Sequence, residues 1–311
     1  MASAELLDIE AGYHQSGDNR KALSRLLKIV RIHPIFRNRR VKARLLNDLA
    51  GVSAKLRLYP IAMKCYYNAA YTTALSDSAE TDSNTAPLDS NFYQELASLD
   101  SALPSARFEQ AVIESEPIQT DTILSSFNDG KPAASYAMLV HVKQPVPGRR
   151  KAFTHINNVG HMFITLIKYN KDNSFVCRSF GFYPNKANLL SGTPFHPESP
   201  STFKDDSKHD WDEVAGKFIS PRRFRRILEV LQSYEQRSYH LNENNCTDFG
   251  LTISAIGGIS IKDTRGHWPL GKGNNPANAG QSMHEGKVSN VDQEYPAPLF
   301  VSSYDFLHDD E

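Results

Sequence analysis

The residues best suited to chemistry lie at 239–250 (YHLNENNCTDFG). Cys246 follows an Asn-rich turn and opens an apolar run that reads as a short helix over 246–256. A thiol at a helix N-terminus meets unpaired main-chain N–H groups and the positive end of the helix dipole. Both favour the thiolate, the nucleophilic form. Asn244 and Asn245 offer polar donors beside a carbonyl oxygen under attack. A cysteine nucleophile also needs a base. His161 opens the most strand-like run of the chain, 161–169 (HMFITLIKY). From a rigid strand end its imidazole could face a helix N-terminus, take up the thiol proton and return it to the leaving group. Each residue also has a plainer reading: Cys246 as a small buried hydrophobe, His161 as a hydrogen-bonded semi-buried histidine. Only the pair points to catalysis.

Several elements must position that pair. β-rich composition predicts strands at 136–142, 161–169 and 175–182, the last two joined by the turn 170–173 as an antiparallel hairpin. A tight turn there places His161 opposite about Gly181. A helix is expected over 220–236, with Ser220 as N-cap, Pro221 in the first turn, and Phe224, Ile227, Leu228 and Leu231 on one face. Residues 191–213 read as a polar loop, 104–132 as ambiguous, and the stretch from Gly286 onward as a loosely ordered polar tail.

In order and spacing, VGHMFITL at 159–166, GFYP at 181–184, a helix, and NCTDF at 245–249 resemble the circularly permuted branch of the NlpC-type papain-like hydrolases. In that branch the His precedes the Cys. The shared element is Asn-Cys-x-x-Phe, matched by Asn245, Cys246 and Phe249. Relatives include peptidoglycan amidases, interbacterial toxin domains and acyl transferases of the lecithin:retinol type. The resemblance covers about residues 135–285. It implies an α+β fold in which an antiparallel sheet packs on the nucleophile-bearing helix, and thiol-acyl chemistry on amide or ester bonds. It also implies a polar residue that orients the His, usually on the strand after the His strand. The position opposite His161 reads as Gly181, which has no side chain. Tyr183 is therefore the first candidate for this role, with Ser179 and Asn157 behind it.

Other polar clusters carry less. His196, Asp205, Asp206, His209 and Asp210 are ligand types gathered in one loop without metal-binding spacing, so no zinc site and no cofactor are expected. Residues 271–276 (GKGNNP) lack the preceding strand and the Lys-Ser/Thr ending of a phosphate loop; they read as a Gly/Asn loop at one edge of the cleft. Arg222, Arg223, Arg225 and Arg226 form a basic helix start, most simply a solvated face. Cys65 and Cys177 read as structural thiols.

The chain of 311 residues carries 35 Lys+Arg against 35 Asp+Glu. That balance argues against a nucleic-acid coat or a polybasic membrane anchor. No apolar run is long enough to span a membrane. The first residues lack a basic segment followed by an apolar one, so no Sec-type signal is expected. The organisation reads as a helical region over 1–100, a linker over 101–134, a catalytic domain over 135–285 and a tail over 286–311. In the helical region Leu46, Leu49, Ala50, Tyr59, Ala62, Tyr66 and Ala69 fall as in a tetratricopeptide hairpin. An earlier hairpin keeps Ala22 and Pro34, at an offset longer than that repeat's period of roughly 34 residues. Such hairpins present a groove for peptide or protein partners.

The expected function is a papain-like cysteine peptidase or amidase acting on peptide or peptidoglycan amides through Cys246 and His161. The expected location is the cytoplasm at synthesis; a wall-directed toxin would then need a specialised secretion route. Two other readings stay open: a helical-repeat adaptor with a degenerate papain-like binding domain, and a cytosolic deamidase or acyl transferase.

Overall fold

The computed structural model describes residues 19–32, 39–77, 92–103, 114–152, 159–185, 192–268, 271–295 and 297–303. Contacts divide the chain into two compact units near residue 110. The expectations for Pro34 and for Asn157 lie outside the described residues.

The N-terminal unit holds helices α1 (Asn19–Ile32), α2 (Arg39–Lys55), α3 (Tyr59–Asp77) and α4 (Phe92–Ala102). Helices α2 and α3 form a tight hairpin. Its turn reverses at Arg57, which adopts a left-handed φ of 60°. The N–H of Leu58 bonds the Ser53 carbonyl at 2.8 Å and that of Arg57 the Ala54 carbonyl at 2.9 Å. This Schellman pattern satisfies carbonyls that the helix end leaves open. Pro60 stands in the first turn of α3, where its missing N–H costs nothing. Leu46, Leu49, Ala50, Tyr59, Ala62 and Ala69 are all buried; the small residues among them let the paired helices approach closely.

The second unit is α+β. Seven strands form one antiparallel sheet in the order β1-β6-β4-β3-β2-β7-β13. They are β1 (Glu116–Ile118), β2 (Ala133–Lys143), β3 (His161–Asn170), β4 (Phe175–Pro184), β6 (Ser201–Asp205), β7 (Glu213–Ile219) and β13 (Phe300–Ser303). Short strands β5 (Glu198–Ser199) and β8 (Tyr239–His240) pair with each other, as do β10 (Arg265–Trp268) with β11 (Gly271–Asn274) and β9 (Ile259–Ile261) with β12 (Val288–Asn290). The helices are α5 (Thr120–Ser126), α6 (Pro221–Tyr234), α7 (Cys246–Gly257) and α8 (Pro276–His284).

The expected 161–182 hairpin forms, with Phe163 opposite Gly181 and Tyr169 opposite Phe175. The register differs by two residues from the expected one, because the turn is centred on Asp172, one residue later, with the Asn170 N–H bonded to the Ser174 carbonyl; continued to its end, this register aligns His161 with Tyr183 rather than Gly181. Alternate residues of β3, Met162, Ile164 and Leu166, enter one core with Val140, Phe180, Phe182, Phe203, Phe224, Ile227, Phe249 and Ile253. That core binds the sheet to α6 and α7. A Cβ on Gly250 would stand 2.6 Å from Met162 Cγ, so glycine lets α7 lie directly on β3.

Three expectations about organisation are corrected. The polar stretch 191–213 is not merely a loop: it contains β6, a full member of the sheet. The proposed linker contributes edge strand β1 and helix α5. The proposed tail contributes β12 and the other edge strand, β13. Its anchors are polar and buried: Lys217 Nζ donates to Asn290 Oδ1 at 2.8 Å, to Asp292 Oδ2 at 3.3 Å and to the Tyr295 carbonyl at 3.1 Å.

Candidate active site

Asn245 sets Cys246 in place. Its extended backbone ends the loop, and its side-chain oxygen accepts from the N–H groups of Thr247 and Asp248 at 2.8 and 3.1 Å. Asp248 reciprocates, accepting from the Asn245 N–H at 3.0 Å. This capping box satisfies the first donors of α7 and fixes the helix start. The Asn245 amide also donates to the carbonyls of Leu241 at 2.7 Å and Asn274 at 2.9 Å. Asn274 in turn donates to Asp248 at 2.6 Å, so the 271–276 segment buttresses the Cys-bearing turn. It does so as strand β11 followed by Asn275, the N-cap of α8, rather than as an open loop.

The expected oxyanion role of Asn245 is thereby corrected. Asn245 spends its amide protons on the carbonyls of Leu241 and Asn274 and its oxygen on the cap. Asn245 is therefore not arranged as an oxyanion donor. Asn244 turns its amide to the Ser238 carbonyl, at 2.7 Å.

Cys246 and His161 come together. Both are buried, and the imidazole and the thiol lie close enough that each shifts the other's ionisation. His161 Nε2 stands 3.1 Å from Asp206 Oδ2, which leaves Nδ1 for the sulfur. Burial alone would raise the thiol's pKa, but the hydrogen bond and charge of His161 and the main-chain N–H of Met162 hold it below the ordinary thiol value. For His161 burial acts downward, yet the charge and hydrogen bond of Asp206, with Cys246 behind them, raise its pKa to about 9. Both shifts favour the thiolate–imidazolium form of the pair over the neutral one. Cys177 differs sharply: burial pushes its pKa to about 12.

Asp206 is the residue that sequence reasoning missed. It stood among the polar residues of the 191–213 stretch, 45 residues from His161. The chain order held no local signal for it; only the pairing of β6 with β4 brings it to the ring. It is fully buried. Its Oδ1 accepts from Ser115 Oγ at 2.6 Å and from the Tyr183 hydroxyl at 2.7 Å, and its N–H donates to the Ser179 carbonyl at 3.0 Å. Burial would raise its pKa, but imidazolium and hydrogen-bond donors keep it below the usual carboxylate value.

Tyr183, the expected orienter, is present but acts at one remove. Its ring lies against His161 with centroids 4.2 Å apart, and its hydroxyl grips Asp206. Burial and the Asp206 charge push its phenol pKa up, so it remains a donor. Ser179 Oγ faces Thr165 Oγ1 at 2.7 Å, away from the imidazole. His209, from the same stretch as Asp206, has its ring centroid 5.2 Å from that of His161 and its Nδ1 2.8 Å from the Asp210 carbonyl.

Tyr239 completes the surroundings. It lies on β8, buried, and stands close enough to Cys246 for the two to influence each other's ionisation. Burial and the Cys246 charge hold its pKa well above that of a free phenol. A phenol held neutral thus stands near Cys246, at the start of α7. Among the described residues no group of three or more His, Cys, Asp or Glu side chains could hold a metal ion, and no helix is long and apolar enough to cross a membrane.

Comparison with known protein families, with curated proteins and with solved structures returned no match to this chain.

Proposed function

We propose that this protein is a cysteine hydrolase of the permuted papain-like kind, cleaving amide bonds through a Cys246–His161–Asp206 triad. The observation that carries this reading is the buried His161 ring held between Asp206 and a thiol of lowered pKa at a capped helix start. Desolvated ion pairs of this type favour the reactive thiolate without a metal or an external base.

In the proposed reaction the Cys246 thiolate attacks the carbonyl carbon. The developing oxyanion accepts hydrogen bonds from the Cys246 N–H and the Tyr239 hydroxyl. The C–N bond breaks as His161 Nδ1 gives its proton to the leaving amine, and a thioester remains on Cys246. Water then attacks the thioester, its proton passing to His161. The acid product leaves, and the thiolate–imidazolium pair is restored. Asp206 stays ionised throughout, holding the Nε2–H and the ring orientation. Asp206 also removes the main ground for the adaptor reading, which rested on the lack of an orienting residue.

Peptide and peptidoglycan stem or crosslink amides are the proposed substrates. The test is incubation of wild type and Cys246→Ala with muropeptides and with a general peptide pool, products being identified by mass spectrometry. Wild-type cleavage of either set, absent in the variant, is the expected result. Transfer of the acyl group to an added amine would point to the acyl-transferase alternative. No product from either set, with Cys246 alkylated no faster than Cys177, would sink the enzyme reading.

A further inference from the structure

Asp206 Oδ2 serves His161, and Oδ1 is held from outside the triad. One of its two donors, Ser115, comes from the segment that leads out of the division near residue 110 and enters β1. Strand β1 pairs with β6 antiparallel, Glu116 opposite Asp205 and Ile118 opposite Phe203. The same register carries Ser115 opposite Asp206, the residue after β6. The Ser115 hydroxyl is buried and donates to Asp206 Oδ1 at 2.6 Å. It also interacts with Tyr183, which donates to the same oxygen.

We propose that Ser115 is a positioning residue of the catalytic site, so that the edge strand entering the second unit completes the triad. This rests on the hydrolase reading above. A carboxylate held by one donor can rotate about χ2 and lose its line to the imidazole; two donors on Oδ1 fix the plane, and with it Oδ2. The geometry is unforgiving, because slipping β1 by one residue turns Ser115 to the opposite face of the sheet. Asp206, being buried, has no water to replace a lost donor. Ser115 thus acts through Asp206 and touches neither the sulfur nor the reacting carbonyl.

The test measures the rate of iodoacetamide alkylation at Cys246 by peptide mapping in the full chain near pH 7. It compares wild type, Ser115→Ala, Ser115→Thr, Asp206→Asn and Ser115→Ala/Asp206→Asn, with the thermal midpoint of each. Ser115→Ala should alkylate about 10-fold more slowly, the fold-change of one lost hydrogen bond to a charged group. Ser115→Thr, which keeps the hydroxyl, should restore the rate. In the Asp206→Asn background Ser115→Ala should add no further loss, because both changes act on one interaction. The proposal is overturned if Ser115→Ala reacts like wild type, or if it slows alkylation equally in both backgrounds. Failure of the hydrolase reading shows in wild type alone, as Cys246 reacting no faster than Cys177, and overturns this proposal with it.

Discussion

Gly181 lies directly against the contact between His161 and Asp206: a Cβ at this position would overlap both His161 Nε2 and Asp206 Oδ2. The missing side chain is what allows the imidazole and the carboxylate to meet across β4. Gly181→Ala should therefore keep the fold, since residue 181 sits in an ordinary strand, but push the ring and carboxylate apart. Amide cleavage should fall by about 100-fold, the scale of losing orientation in such a site. Far-UV circular dichroism matching wild type, with kcat reduced more than KM is changed, is the expected pattern; unchanged kcat would contradict it.

The pH profile of Cys246 alkylation follows from the two shifted groups. The thiol pKa lies below the ordinary value, so reactivity should rise through a pH below that of a free cysteine. The His161 pKa is raised to about 9, so the imidazolium partner persists through neutral pH and is lost as pH climbs past that value. Hydrolysis should accordingly show a bell whose basic limb lies near pH 9. In His161→Ala the rising limb of alkylation should move up toward the free-thiol range. Modified-peptide mass spectrometry across pH 5–10 reads both.

Asn245→Ala removes the cap and both carbonyl contacts of that amide. The cap alone is worth about 1 kcal/mol, and the carbonyls left behind add to it, so a loss of about 2–3 kcal/mol in urea unfolding is expected. Asn245→Asp keeps the acceptor for Thr247 and Asp248 but not the donors, and should fall between the two.

Lys217→Met tests whether 290–295 is structural. Lys217 and Asp292 are both fully shielded from solvent, and Arg223 bonds Asp292 Oδ1 at 2.8 Å. Removing Lys217 leaves Asp292 with Arg223 as a charged partner but strips the donor from Asn290 Oδ1 and the Tyr295 carbonyl, so a loss of about 2 kcal/mol is expected in chemical denaturation. A stability within 0.5 kcal/mol of wild type, the range of about ±0.5 kcal/mol typical of surface changes, would show the contact to be incidental.

Glu213 makes stability depend on pH. Burial raises its pKa to about 7, against the opposing Ser303 hydroxyl and His284. A carboxyl whose folded pKa exceeds its unfolded value stabilises the fold in its protonated form. That contribution is present below the unfolded pKa and is lost as pH rises through 7. Glu213→Gln should thus raise the thermal midpoint at pH 8 relative to wild type, by about 1–2 kcal/mol in stability, and do little at pH 4. Scanning calorimetry at the two pH values checks the sign.

Local chemistry in the sequence determined much of what matters. Ser220 and Pro221 start α6 as expected, with Ser220 Oγ accepting from the Arg223 N–H. The Asn-rich turn does open a helix at Cys246, because capping is decided within four residues. The β-rich composition of 161–169 and 175–182, with the turn between them, made the central hairpin visible, and with it His161. Tertiary structure alone decided the rest. The polar stretch around Asp206 has no strong periodicity, so its membership in the sheet depends on β4 offering an unpaired edge. A two-residue difference in hairpin register moved Gly181 from opposite His161 to opposite Phe163, and so turned an apparent gap in the site into the opening through which Asp206 reaches the ring. Ser115, Asp206 and His161 lie far apart in the chain, and hydrogen bonds of that range leave no spacing to read. Their partnership exists only once β1, β6, β4 and β3 are aligned side by side, because burial then leaves Asp206 no partner but protein.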